Sequence, residues 1–163
     1  MGPLFGPEQA KSVSIGGVEV SFRMSGLETA GAYDLLEFRL EPGRLIPPHA
    51  HQREHEVSYV LEGEIGLRIG RDELTAKQGC IVVKPPQVTH AWWNPTPTPA
   101  RVLEVISPSG LERYFLELAE IHATHGIREP QLLAALQARY GLTASTDWTP
   151  QLKARHRLKL LGE

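Results

Sequence analysis

The sequence has little of what would place it in several large classes of protein. Its one cysteine, Cys80, excludes an intramolecular disulfide and a metal site built from several thiolates. Lysines and arginines number 17 against 19 aspartates and glutamates, a formal net charge of −2, so the chain has no basic field for nucleic acid. It also has no run of about 18 uncharged apolar residues that would cross a membrane. We therefore expect a cytoplasmic protein whose partner is a small molecule rather than nucleic acid or a membrane.

The histidine content is high by comparison. The chain has 163 residues, the length of one domain, and can bury a core without disulfides or a structural metal. Seven histidines stand against two methionines and one cysteine, so any metal site would be built on imidazole. His49, His51, His55 and His90 lie in the first two thirds of the chain.

The first two thirds of the chain also carry the pattern of short strands separated by turns, with most of the 15 glycines and 13 prolines between them. Residues 12–15 and 18–22 flank Gly16 and Gly17, which is a hairpin signal because primed turns need positive φ. In 36–40, apolar residues alternate with charged ones, as in a half-buried strand. Further strands are predicted at 55–61, 64–69, 80–83, 89–93 and 101–106. This pattern favours an all-β sandwich or barrel.

After Pro108 the apolar period changes to that of helices. The run from Ser109 to Glu112 is a capping-box sequence, and three helices are predicted, beginning near residues 111, 130 and 149. We therefore divide the single domain into a barrel with its N-terminal strands, 1–108, and a C-terminal helical extension, 109–163, whose helices pack on the outside.

The candidate metal-binding residues begin directly after Pro47 and Pro48. These prolines exclude a helix there, so a helical zinc pair made by His51 and His55 is disfavoured. His49 and His51 are two residues apart, so in an extended chain both imidazoles point to the same face. Glu56 opens the next strand and can reach back to the same centre, and His90 is the candidate for a fourth ligand.

The spacing of these residues resembles the cupin superfamily. The first cupin motif, G-x5-H-x-H-x4-E-x6-G, is met by Gly43, His49, His51, Glu56 and Gly63. The second motif, G-x5-P-x-G-x2-H-x3-N, is met by Gly79, Pro85, His90 and Asn94, with Gln87 where that motif often has glycine. The helical tail is similar to that of small bacterial single-domain cupins described as quercetin-dioxygenase-like.

The resemblance implies a double-stranded β-helix of the jelly-roll type that holds one divalent transition metal, Fe, Mn, Ni, Co or Zn. The implied ligands are His49, His51, Glu56 and His90, and a homodimer is a further expectation from this family. Three neutral imidazoles and one carboxylate leave a divalent ion with a net positive charge and, in six-coordination, about two open positions for chelating oxygen anions.

Strand parity predicts the walls of the pocket around this metal. Residues that share a face with His90 or Glu56, together with apolar residues of the neighbouring strands, should face inward. The predicted pocket residues are Phe38, Leu40, Ile46, Ser58, Val60, Trp92 and Asn94. Trp93 should face outward, either under the helices or in a dimer contact. Cys80 is expected in the core and Glu54 in solvent, with His55 facing out of the lumen.

A mostly apolar lumen with a metal anchor favours a metal-dependent dioxygenase or other oxidoreductase that acts on a small aromatic or dicarbonyl substrate. Glu56 is then the catalytic residue, because a ligand carboxylate can leave the metal to take a proton. Two alternatives stay open. The barrel is either a non-catalytic module that binds metal and a small molecule, or a metal-dependent isomerase of a sugar-like or keto acid substrate.

Overall fold

Two β-sheets face each other in the computed structural model, which describes residues 4–126 and 129–163. The strands are β1 Lys11–Ile15, β2 Val18–Met24, β3 Asp34–Leu40, β4 Arg44–His51, β5 His55–Glu62, β6 Glu64–Ile69, β7 Asp72–Lys77, β8 Ile81–Lys84, β9 His90–Trp93, β10 Ala100–Ser107, β11 Leu142–Ala144 and β12 Lys159–Leu160. The helices are α1 Leu111–His125, α2 Pro130–Arg139 and α3 Thr149–His156. One sheet, sheet A, has the order β1-β2-β3-β10-β5-β8, and the other, sheet B, has the order β11-β4-β9-β6-β7 with β12 also beside β4. This is the predicted double-stranded β-helix with C-terminal helices, and the fold class is confirmed.

The first hairpin forms as the sequence predicts. Gly16 and Gly17 have φ of 54° and 94°, and Ile15 pairs with Val18 across the turn. Both angles lie where a side chain would strain the backbone, so the two glycines allow the short connection between β1 and β2.

Along the strands of sheet A, buried inward-facing residues alternate with more exposed ones. Leu36, Phe38 and Leu40 on β3 are buried, and the residues between them are more exposed or face the other side. On β10 the inward set includes Glu104, a charged residue within an otherwise apolar series. The same parity places Glu56 on the inner face of β5.

Three strands are not predicted by the sequence patterns. β7 reads Asp-Glu-Leu-Thr-Ala-Lys and buries only Ala76, so it lacks the alternation that marks a half-buried strand. β11 and β12 are three and two residues long, too short for a periodic signal. Both pair with β4, with Leu142 opposite His51 and Ala144 opposite His49. The C-terminal extension therefore does more than cover the outside, because it also supplies two strands to sheet B.

The start of α1 is held by a residue from the barrel rather than by the capping box that the sequence suggests. Asp34, at the start of β3, accepts hydrogen bonds at Oδ2 from the backbone N–H groups of Gly110 (2.7 Å) and Glu112 (3.2 Å). Its Oδ1 accepts one from Gly26 N–H at 3.0 Å. Ser109 makes no capping bond with its side chain. A buried carboxylate at a helix N-terminus satisfies unpaired N–H groups and complements the helix dipole.

Trp93 lies under the C-terminal helix, α3. Of the two positions expected for this outward-facing residue, under the helices or in a dimer contact, the structure shows the first. Trp93 belongs to a second buried cluster with Leu45, Ala91, Leu152 and Leu158. The indole also fills the space above Gly66 on the neighbouring strand, where an added Cβ would lie 2.3 Å from ring atoms.

Cys80 corrects one expectation. It is exposed, in the turn just before β8, rather than part of the core. The apolar run after it continues for only a few residues, and Ile81 and Val83 on this edge strand are also exposed. None of the helices in residues 4–126 and 129–163 is long and apolar enough to cross a membrane.

Candidate metal centre

Four side chains from the two sheets meet between them. His49 and His51 lie on β4 and His90 on β9, all in sheet B, while Glu56 reaches across from β5 in sheet A. One ligand atom from each of the four lies within 4.8 Å of the others. The structure therefore brings together all four residues that the sequence singled out.

Backbone contacts turn two of the imidazoles toward the centre. His49 Nδ1 lies 2.8 Å from the carbonyl oxygen of Pro47, and His90 Nδ1 lies 3.1 Å from that of Val88. A carbonyl only accepts, so each Nδ1 carries the proton and donates it. In the neutral ring Nε2 is then the unprotonated nitrogen, the form that binds a metal.

The polar atoms at the centre lack the partners that buried groups normally have. His51 Nε2, His90 Nε2 and Glu56 Oε2 are buried and make no hydrogen bond with the described residues. Glu56 Oε2 lies 2.9 Å from His90 Nε2, so a carboxylate oxygen faces an imidazole lone pair whenever the ring is neutral. Two such acceptors repel each other unless one cation contacts both of them. The donor set fits a divalent transition-metal ion.

For two of the four residues, His49 and Glu56, electrostatics favour the protonation state that binds a metal. Burial lowers the pKa of His49 well below its ordinary value, and the neighbouring imidazoles of His90 and His51 lower it further. For Glu56, burial alone would raise the pKa, but Lys84 and the imidazoles of His51 and His90 outweigh it and hold the pKa well below the ordinary range. His49 is therefore neutral and Glu56 ionised at neutral pH.

Glu54 does not lie in solvent as expected. It is buried, with Oε2 3.9 Å from His51 Nδ1 and Oε1 accepting a hydrogen bond from Arg53 at 3.2 Å. At 3.9 Å the carboxylate oxygen and the imidazole nitrogen are too far apart for a hydrogen bond, so Glu54 lies behind His51 without a direct bond to it. His55 is exposed and faces away from the lumen, as its parity predicts.

A buried polar network, missed by the sequence analysis, stands beside Glu56. Lys84 Nζ lies 3.2 Å from Glu56 Oε2 and 2.9 Å from Glu104 Oε1, and Ser58 Oγ donates to the same Glu104 oxygen at 2.7 Å. Lys84 and Glu104 are each 1% exposed. Parity could have revealed Glu104, since it shares the inward face with Val102 and Ile106.

The two charges of this network depend on each other. Burial lowers the pKa of Lys84, but the charges of Glu104 and Glu56 outweigh it, so the pKa is raised. Burial raises the pKa of Glu104, and the charge of Glu56 adds to this effect against the opposing Lys84. Lys84 therefore remains an ammonium ion deep inside the barrel.

A cavity of about 250 Å³ borders the ligand set. His49, His51 and Glu56 line it, together with Lys84 and Glu104 of the buried network. The rest of the wall is predominantly apolar. Three of the predicted pocket residues are in this wall: Phe38, Ile46 and Trp92.

The other four predicted pocket residues lie elsewhere, although they have the predicted parity. Leu40 and Val60 are fully buried in the apolar core beyond the cavity. Ser58 is turned toward Glu104. Asn94 is buried, donates to the carbonyls of Leu40 and Thr98, and accepts from Thr96, so it holds a loop. Strand parity predicts which face of a strand a side chain lies on, but not its distance from the metal centre. These four residues therefore have the predicted orientation without lining the cavity.

The C-terminal extension completes the cavity. Tyr114, Phe115 and Leu118 of α1 and Leu133 and Gln137 of α2 line it. The rings of Phe38 and Phe115 meet edge to face with centroids 5.3 Å apart, which joins the helix to the barrel wall. The apolar stripes of these helices are visible in the sequence, but none of the predicted pocket residues belongs to the extension.

Comparison with known proteins finds a match to a known domain in the middle of the chain. A family model described as "Cupin domain" matches residues 36–106. Germin-like protein subfamily 2 member 3 of Arabidopsis thaliana is 35% identical over 86 residues, which are 50% of this chain and 39% of that protein. The chain thus spans about two fifths of the length of this curated relative.

Solved structures agree on the fold. The structure of KdgF from Halomonas sp. matches with a TM-score of 0.62 at 16% identity and covers 69% of this chain and 99% of its own. An RmlC-like cupin from Shewanella frigidimarina matches with a TM-score of 0.59 at 22% identity, over 69% of this chain and 96% of its own. These two likenesses show the fold. Together with the motif residues, the family match identifies residues 36–106 as a cupin domain.

Proposed function

We propose that this cupin binds one divalent transition-metal ion through His49, His51, Glu56 and His90, and that it acts as a dioxygenase on a small aromatic or dicarbonyl substrate. The observation that carries the proposal is a converging set of four candidate ligand atoms, three of whose residues line a predominantly apolar cavity. When bound, the ion supplies a positive charge and open coordination positions for the oxygens of a chelating substrate. Dioxygen is the oxidant, and both of its atoms enter the product, so no separate reductant is needed.

The walls favour a flat and small substrate. Phe38 and Trp92 meet edge to face with centroids 5.6 Å apart, and Phe115 extends this aromatic surface. A cavity of about 250 Å³ is at the small end of ligand sites, which take roughly 300–1,000 Å³. Apolar walls also exclude water, which strengthens the electrostatic interactions at the ligand set.

Glu56 is the group that can accept a proton from the substrate. Its two oxygens lie 3.4 Å from His51 Nε2 and 3.2 Å from Lys84 Nζ, so the carboxylate stands between the ligand set and a fixed positive charge. Because it is ionised at neutral pH, it can accept the proton that an acidic enol or phenol loses on chelation.

The experiment that tests the proposal measures metal content and oxygen uptake together. The protein is loaded separately with Fe, Mn, Ni, Co and Zn, and oxygen consumption is followed with flavonols and small β-diketones. We expect about one metal ion per chain, and oxygen uptake that is lost in His49→Ala and kept in His55→Ala, the matched control with an exposed imidazole. Equal metal content in wild type and His49→Ala would refute the site. Full loading without oxygen uptake for any metal would refute the dioxygenase.

One observation favours a second candidate, the metal-dependent isomerase of a sugar-like or keto acid substrate. Such a reaction needs polar groups in the lumen, and Lys84 and Glu104 provide two that are absent from the predicted pocket. Isomerisation moves a proton between carbons without dioxygen. Anaerobic incorporation of deuterium from D2O into a keto acid, followed by NMR, would favour this candidate over the dioxygenase.

A further inference from the structure

The cavity contains a polar position that the metal ligands do not account for. Glu104 Oε1 already accepts from Ser58 Oγ and Lys84 Nζ, at 2.7 and 2.9 Å. Glu104 Oε2 is buried and has no hydrogen-bond partner among residues 4–126 and 129–163. Both Lys84 and Glu104 are in the cavity wall. A buried carboxylate oxygen without a donor is costly, so a donor is expected there when the cavity is filled.

The neighbouring ammonium restricts what that donor can be. Lys84 has three N–H groups, and it lies against Glu56 and Glu104 with its Nζ 5.4 Å from the centre of the Trp92 ring. Because the opposite charges of Lys84 and Glu104 lie 2.9 Å apart and largely cancel, neither a cationic nor an anionic group is attracted by both of them. A neutral hydroxyl accepts from the ammonium and donates to the carboxylate at the same time.

The position of Lys84 and Glu104 places this hydroxyl close to the metal-binding end of the substrate. Lys84 touches Glu56, which is in the ligand set, so the Lys84–Glu104 pair borders the place where a chelating substrate would sit. The aromatic surface of Trp92 and Phe38 is beside it. A hydroxyl next to a chelating oxygen pair on one ring meets both requirements.

We infer that Lys84 and Glu104 form a recognition site for a neutral hydroxyl group adjacent to the chelating oxygens of the substrate. The inference rests on the proposed function, because it assumes that the substrate chelates an ion held by the four ligands. It narrows the substrate class to aromatic compounds with three neighbouring oxygens, of which at least one keeps its proton. Glu104 is thereby a specificity-determining residue, while Ser58 positions it.

Three small ligands separate this inference from its alternatives. Catechol has the chelating pair alone, pyrogallol adds the neighbouring hydroxyl, and 3-methoxycatechol replaces that hydroxyl with a group that cannot donate. Binding is measured by calorimetry at pH 8 without oxygen on the zinc-loaded protein, since zinc has no redox chemistry and prevents turnover. The readout is affinity rather than activity.

We expect the wild type to bind pyrogallol about tenfold more tightly than catechol or 3-methoxycatechol, as a hydrogen bond to a charged group gives at least this discrimination. In Glu104→Gln the amide can donate to the methoxy oxygen, so the preference for pyrogallol over 3-methoxycatechol should disappear. Glu120→Gln, on the exposed side of α1, is the matched control and should behave as wild type.

The possible failures are distinguishable. Similar wild-type affinity for all three ligands would overturn the hydroxyl site and leave the proposed chelation intact, and this comparison needs no variant. An unchanged preference in Glu104→Gln would overturn the role of Glu104. If the zinc-loaded wild type binds none of the three, the proposed chelation fails and the inference fails with it.

Discussion

The junction between the barrel and α1 depends on a single carboxylate, and replacing it tests how the C-terminal extension is held. Asp34 is 1% exposed and accepts three backbone hydrogen bonds, from Gly26, Gly110 and Glu112. Asp34→Ala removes all three acceptor contacts and the charge at the helix N-terminus. Within residues 4–126 and 129–163, Asp34 supplies the side-chain hydrogen bonds to this end of α1, because the N-cap residue, Gly110, has no side chain.

The size of the effect can be worked from these contacts. Loss of a helix N-cap costs about 0.5–2 kcal/mol, and each buried N–H left without an acceptor costs about 1–3 kcal/mol unless water enters. Because the removed carboxylate leaves room for water, we expect the free energy of unfolding to fall by about 2–4 kcal/mol. For a chain of this length that is a decrease in Tm of roughly 5–15 °C.

Urea unfolding followed by circular dichroism measures the loss, and hydrogen exchange at the Gly110 and Glu112 amides locates it. Asp34→Asn keeps one acceptor oxygen and should lose about half as much. Asp72→Ala, at the exposed start of β7, is the control and should change stability by less than about 0.5 kcal/mol. If Asp34→Ala unfolds within 0.5 kcal/mol of the wild type, these hydrogen bonds do not hold α1 and the reasoning is wrong.

Three further predictions follow from single contacts. Gly66→Ala places a Cβ 2.3 Å from the Trp93 ring and should destabilise the fold by about 1–3 kcal/mol in urea; an unchanged midpoint would show that the indole can move. Burial raises the pKa of Tyr114 to about 12. The unfolded chain loses this proton near pH 10 and the folded chain keeps it longer, so stability should fall by about 2–3 kcal/mol from pH 10 to 12, and Tyr114→Phe should lack this part of the decline. Identical pH profiles would contradict the buried hydroxyl. A divalent metal at 100 times its Kd should stabilise the wild type by about 2.7 kcal/mol, a Tm increase of roughly 5–11 °C. The increase should disappear on adding a chelator and be absent in His49→Ala, and a persisting increase in that variant would place the metal elsewhere.

Local patterns were sufficient for the barrel and for the ligand set. The spacing of His49 and His51 after two prolines determines that both imidazoles share a face of one strand, because the side-chain period of a strand is two. The family motifs then identified Glu56 and His90, and the structure brings all four within reach of one ion.

The environment of the four candidate ligands depends on the tertiary structure. Whether an inward residue lines the cavity or fills the core depends on which element packs above it, so Trp92 borders the cavity while Val60 does not. Lys84 and Glu104 come from β8 and β10, which lie on either side of β5 in sheet A. No local spacing could show that these two strands would place an ammonium and a carboxylate beside Glu56.

The C-terminal extension shows the same division. Its apolar periodicity predicted three helices, because a surface helix has to bury one stripe. That their residues close the cavity, that Asp34 caps α1, and that two short strands pair with β4 are consequences of long-range packing. The sequence alone thus determined the barrel and the four candidate ligands, through periods and spacings along the chain. The walls, the buried ion pair and the unpaired oxygen of Glu104 arose only when distant segments were brought together.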